Sequence, residues 1–104
     1  MKRVVAYVPD LMDRSRITAT GAAVTFAASP AGLVAAGGAG PDLVVVDLAR
    51  PGVLEVIGRV GVPVIGFASH VDRELLASAR AAGCATVLAR SAFFARLGEL
   101  LSDP

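Results

Sequence analysis

The chain has 104 residues, of which 55% are hydrophobic, and its ten basic and nine acidic side chains leave a formal net charge of +1. That length supports one domain over residues 1–104, with a core that needs no disulfide or metal staple. With no long Lys/Arg run the composition excludes the footprint of a nucleic-acid or anionic-membrane binder, and the lone Cys84 excludes an internal disulfide and a cysteine-based zinc site.

The first predicted element is a strand, Arg3–Val8. The N-terminus starts like a secretory leader but reaches Pro9-Asp10 and Asp13 before an apolar stretch of sufficient length has formed. With a single thiol this fits a reducing, cytoplasmic setting. A helix of poor apolar periodicity follows, from about Leu11 to Thr20, then a strand at Ala23–Ala27 and a short helix from Pro30 to about Ala36. Residues Ile17 to Pro41 carry no charge. They are broken by Ser29-Pro30 and end in Gly37-Gly38-Ala39-Gly40-Pro41, and their apolar residues are mainly Ala, so no membrane span is expected. The glycine run precedes a strand instead of joining a strand to a helix, which does not match a phosphate-binding loop.

Leu43–Asp47 is the most telling segment. It is a β-branched run without polar alternation, the mark of a strand buried on both faces in a parallel sheet. Val53, Val56, Ile57 and Val60 then fall at helical spacing, with Glu55 and Arg59 facing away. A fourth strand, Pro63–Phe67, leads into Ser69-His70-Val71-Asp72, which fits a capping box. The helix beyond it runs through Leu75, Leu76, Ala79 and Ala82 to Gly83, suited to a left-handed cap. Thr86–Leu88 forms the fifth strand. Phe93, Leu97, Leu100 and Leu101 give the last helix its apolar stripe, with Arg96 and Glu99 outside.

Five strands alternating with five helices predict an α/β fold of three layers, a doubly wound five-stranded parallel sheet in flavodoxin-like order 2-1-3-4-5. Ligands of such sheets bind outside the carboxyl ends of the strands, at the point where the order reverses. Asp10 and Asp47 belong there as neighbours, and Ser69, Arg90 and Ser91 leave strands four and five on the same edge. The two carboxylates can be read as a weak Mg²⁺ site, or as a helix cap and a loop-amide acceptor. Arg90 is expected to bind an anion or to pair with Asp47, which as a buried carboxylate needs a cation. Ser69 and Ser91 read equally as helix N-caps. Cys84, at the opposite edge, reads as an inert small residue. No catalytic constellation is visible, so an enzyme is not expected.

With these residues in place, the chain resembles the response-regulator receiver domains over nearly all of its length. Asp42-Leu-Val-Val-Val-Asp47-Leu-Ala-Arg-Pro51-Gly52 is similar to the segment around their phospho-accepting aspartate. Pro63-Val-Ile-Gly-Phe-Ala-Ser-His70 resembles their fourth strand and its loop, and Ala81 to Phe93 resembles the stretch around their fifth strand. The resemblance implies signal transduction, phosphoryl transfer from a histidine kinase to Asp47, and a Mg²⁺ held by an acid pair of which Asp10 matches the second member. It implies protein partners, a histidine kinase or an output protein, and a monomer or modest homodimer, with no nucleic acid and no membrane.

The departures matter as much. Pro9 stands where the first acid belongs, Ala68 where a hydroxyl belongs (Ser69 is one place late), Arg90 where a Lys belongs, and Val87 at the position of the aromatic switch residue. One carboxylate fewer weakens Mg²⁺ binding and leaves the incoming phosphoryl charge poorly neutralised. The expectation is therefore an atypical, pseudo-receiver module acting through protein interaction. A true phospho-accepting receiver at Asp47 and a small anion or nucleotide-binding flavodoxin-like module are the alternatives.

Overall fold

The computed structural model describes residues 2–102. Strands β1 (Arg3–Tyr7), β2 (Ala23–Phe26), β3 (Leu43–Asp47), β4 (Val64–Ala68) and β5 (Thr86–Ala89) form one sheet in the order β2-β1-β3-β4-β5. All four pairings are parallel, with Tyr7 opposite Val46 and Asp47 opposite Phe67. The strand order is the one the alternating pattern predicts. Strands β3 and β4 are the most deeply covered: every residue of both is buried, whereas the edge strands β2 and β5 are only partly covered.

Helices cover both faces, as right-handed crossovers require. Helix α1 (Leu11–Thr18) lies on one face with α5 (Arg90–Ala95) and α6 (Leu97–Leu101). There Ile17, Phe93, Phe94, Leu97 and Leu101 pack on Val4, Ala6, Val45 and Phe67. Helices α2 (Pro30–Gly37), α3 (Val53–Val56) and α4 (Arg73–Ala82) cover the other face, where Leu33, Val53, Ile57, Val60 and Ala79 meet Val5, Val44, Val46 and Val64. Among the described residues, no helix is long and apolar enough to cross a membrane.

Local chemistry explains where elements stop. The third apolar stripe buries Val53, Val56, Ile57 and Val60 as its spacing predicts. Yet it is α-helical for only four residues and continues as a 3₁₀ turn, Ile57–Arg59, because β-branched residues followed by Gly58 sustain an α-helix poorly. The fifth helix, expected as one piece, divides at Arg96. Helix α4 ends where expected, on Gly83 at φ +110°, a left-handed conformation that glycine adopts without a Cβ clash. The Gly37–Gly40 run also has a packing reason. A Cβ on Gly37 would stand 2.2 Å from the Val60 carbonyl oxygen, so a glycine is what lets α2 approach that turn.

Candidate functional site

Asp47 is the last residue of β3 and is 8% exposed at the carboxyl edge of the sheet. Both of its oxygens are engaged by the loop that follows. Oδ1 accepts the Ala49 amide at 3.1 Å, and Oδ2 accepts Arg50 Nε at 3.2 Å. The turn places these donors two and three residues downstream, within reach of a short side chain. The loop-amide reading of Asp47 is therefore present in the structure. Its cation is Arg50, and not Arg90 as the sequence suggested.

Arg90 is committed elsewhere. Its guanidinium donates to Asp13 Oδ1 across 77 positions of sequence, and the Asp13 side chain is only 4% exposed while that of Arg90 is 45% exposed. Arg90 opens α5 one residue after β5, and Asp13 lies in the first turn of α1. The contact bridges the two elements above the stacked rings of Phe67 and Phe93, whose centroids are 4.6 Å apart. The guanidinium carbon sits 5.7 Å from the Phe67 ring and 5.0 Å from the Phe94 ring. The hydrogen bond that Arg90 donates to Asp13 raises the Arg90 pKa above its ordinary value. Burial opposes this, and the charges of Asp13, Asp47 and Asp10 reinforce it. Arg90 is thus a permanent cation facing an edge that carries three carboxylates.

Asp10 caps α1: its Oδ1 accepts the Asp13 amide at 2.9 Å. Capping satisfies one of the amides that every helix start leaves unpaired. Asp13 is the residue the sequence reading passed over. It sits three places after the cap and four before Ile17, the other buried residue of α1, so a D-x-x-D start placed on the Ile17 face was the available signal. Hydropathy pointed the wrong way, since Leu11 and Met12 are 74% and 78% exposed.

The remaining candidates play local parts. Ser69 Oγ accepts the Val71 amide at 3.4 Å and does not cap α4, whose N-cap residue is Asp72 with no side-chain bond. The anticipated capping box is thus replaced by a Ser turn, because the helix starts at Arg73, later than that box requires. Ser91 is inside α5, behind the N-cap residue Ala89, and is exposed. Cys84 is half-buried and burial raises its thiol pKa, which disfavours the reactive thiolate.

The donor set does not fit the Mg²⁺ that the receiver resemblance implies. Pro9 offers no side-chain oxygen, Asp10 is used as a cap, and both Asp47 oxygens already accept hydrogen bonds. No three acidic, His or Cys side chains converge as a cation site among the described residues. What the edge offers is an acceptor carboxylate tied down by an arginine, beside a second arginine tied to a different acid.

Known structures share this architecture. A response regulator from Hahella chejuensis superposes with a TM-score of 0.82 at 19% identity, covering 97% of this chain and 92% of that one. The chemotaxis response regulator CheY4 of Vibrio cholerae gives 0.79 at 21% identity, covering 97% and 96%. The signal receiver domain of NarL from Mycobacterium tuberculosis gives 0.77 at 19% identity, covering 95% and 91%. The fold is the receiver fold, a CheY-like form of the flavodoxin-like sheet. No protein-family model and no curated protein matches the sequence.

Proposed function

We propose that this chain is an atypical receiver module of signal transduction that works by binding a protein partner and not by efficient Mg²⁺-dependent phosphorylation of Asp47. The observation that carries this reading is that both Asp47 oxygens accept hydrogen bonds from the following loop, from the Ala49 amide and from the Arg50 cation. A carboxylate attacks phosphorus through a free lone pair, and the transition state spreads charge that positioned cations must neutralise. Arg50 competes for that lone pair. Arg90, at the position where receivers carry a Lys, turns one edge of its guanidinium to Asp13 and not to Asp47. Pro9 and Ala68 supply neither the acid nor the hydroxyl of the family pattern.

Each loss of about 1.4 kcal/mol in transition-state stabilisation is tenfold in rate, so Pro9, Ala68 and Arg90 together leave Asp47 a poor acceptor. The partner surface in this reading is the face of α4, β5 and α5–α6. Its exposed rim carries Arg73, Arg80, Arg96 and Glu99, with Arg96 and Glu99 paired at 3.4 Å. A charged rim of this kind suits a transient partner or a modest homodimer better than an obligate apolar interface. The setting proposed is cytoplasmic and the module is not an enzyme.

The test is intact-protein mass spectrometry after Mg²⁺ and acetyl phosphate, with Asp47→Asn as control. Largely unmodified protein is expected. Stoichiometric phosphorylation that disappears in the control would overturn the reading in favour of an ordinary phosphorylated receiver.

A further inference from the structure

We propose that the groove between α1 and α5 is a binding site for a phosphate-class oxyanion, held by Arg16, Arg90 and Ser91. The groove has a volume of about 430 Å³ and is lined by these three residues with Phe94 and Ala95. The Arg16 guanidinium carbon lies 4.0 Å from the Phe94 ring centroid and that of Arg90 lies 5.0 Å from the same centroid, so the two cations are within about 9 Å of each other. That is about one Debye length at 0.1–0.15 M salt, so part of their repulsion is felt. Asp13 answers only one of them. It is buried, and it accepts a hydrogen bond from Arg90. Among the described residues, Arg16 makes no ion pair.

An anion seated between the guanidiniums would relieve this imbalance. Arginine presents five N–H donors in a planar fork that matches phosphate oxygens, and Arg90 spends only part of that fork on Asp13. Stacking on Phe94 holds both forks in place before a ligand arrives, which lowers the ordering cost of binding. The exposed Ser91 hydroxyl adds a neutral donor on the α5 wall. This site is separate from the Asp47 carboxylate and its arginine, so it stands whether or not Asp47 accepts a phosphoryl group.

The test is a ¹H–¹⁵N NMR titration with inorganic phosphate, pyrophosphate and AMP, against sodium chloride at matched ionic strength. Saturable shifts are expected at the Ser91 and Ala92 amides and at Arg16 Nε. Arg16→Gln, a change at an exposed position, should weaken the binding about tenfold, the worth of one charge-assisted contact, while Arg50→Gln leaves it unchanged. AMP binding tighter than phosphate would assign the anion to a nucleotide, and AMP binding no tighter would assign a plain oxyanion. Shifts that match those of chloride, or saturable binding that Arg16→Gln leaves intact or Arg50→Gln removes, would overturn the site.

Discussion

Asp47 and Asp13 are two carboxylates at the same edge of the sheet, each answered by an arginine, yet they are held in opposite ways. Asp47 pairs with Arg50, three residues away, in a loop where the arginine side chain is 40% exposed. Asp13 pairs with Arg90, 77 residues away, and its own side chain is 4% exposed. A local pair is built by one turn and can yield without disturbing the fold. A long-range pair on a buried acid ties α1 to α5, and breaking it leaves a charge with no water around it. The difference separates a contact made within one loop from a contact that ties two elements together.

The largest expected effect follows from the buried acid. Arg90→Met should lower unfolding free energy by roughly 3 kcal/mol, the cost of stranding a buried carboxylate, as read by urea denaturation. Asp13→Asn removes the charge but keeps an acceptor of the same shape, so a loss of about 1–2 kcal/mol is expected. Arg50→Met should cost about 0.5 kcal/mol or less, since exposed pairs contribute little. Equal losses for Arg90→Met and Arg50→Met would erase the contrast between the two pairs.

The sheet was legible because its signals are local. The unbroken Leu43–Val46 run fixes β3 as a central parallel strand, and five alternating segments leave few topologies. Val53, Val56, Ile57 and Val60 were placed correctly in the core by spacing alone, although β-branching and Gly58 shorten the helix that carries them. The edge of the sheet was legible as a location, with Asp10, Asp47, Ser69 and Arg90 all following strands that end there. Its pairing was not. A preference of Arg90 for Asp13 over Asp47 depends on how α1 is rotated, and α1 buries an aspartate while exposing Leu11 and Met12, against the hydropathy rule that reads helices. Arg14 and Arg16 help to explain that rotation, since their guanidinium carbons lie 4.9 and 4.0 Å from the rings of Phe26 and Phe94. Contact of this kind lays an arginine over an aromatic ring where hydropathy alone expects a leucine.

Titration sharpens the contrast further. The Arg90 pKa is raised in the folded chain, so the stability it confers is fully present below its ordinary pKa and would be lost only as pH rises through the higher folded value. The gap in stability between wild type and Arg90→Met should therefore stay constant from pH 6 to 9, measured by denaturation at each pH. Cys84 gives the smallest effect. Burial raises its thiol pKa, so folded and unfolded chains bind the same proton below the ordinary thiol value of about 8.5 and the folded state loses stability above it. Cys84→Ala should remove that slight alkaline slope. In the native protein, alkylation by iodoacetamide at pH 8 should run several-fold slower than in urea.

A double-mutant cycle on Arg90 tests the assignment of its charge most directly, pairing Arg90→Met with Asp13→Asn in one cycle and with Asp47→Asn in the other, each variant measured by urea denaturation. The account predicts a coupling of about 2 kcal/mol with Asp13 and less than about 0.5 kcal/mol with Asp47. Coupling concentrated on Asp47 instead would mean that Arg90 serves the acceptor carboxylate after all, and would contradict the account.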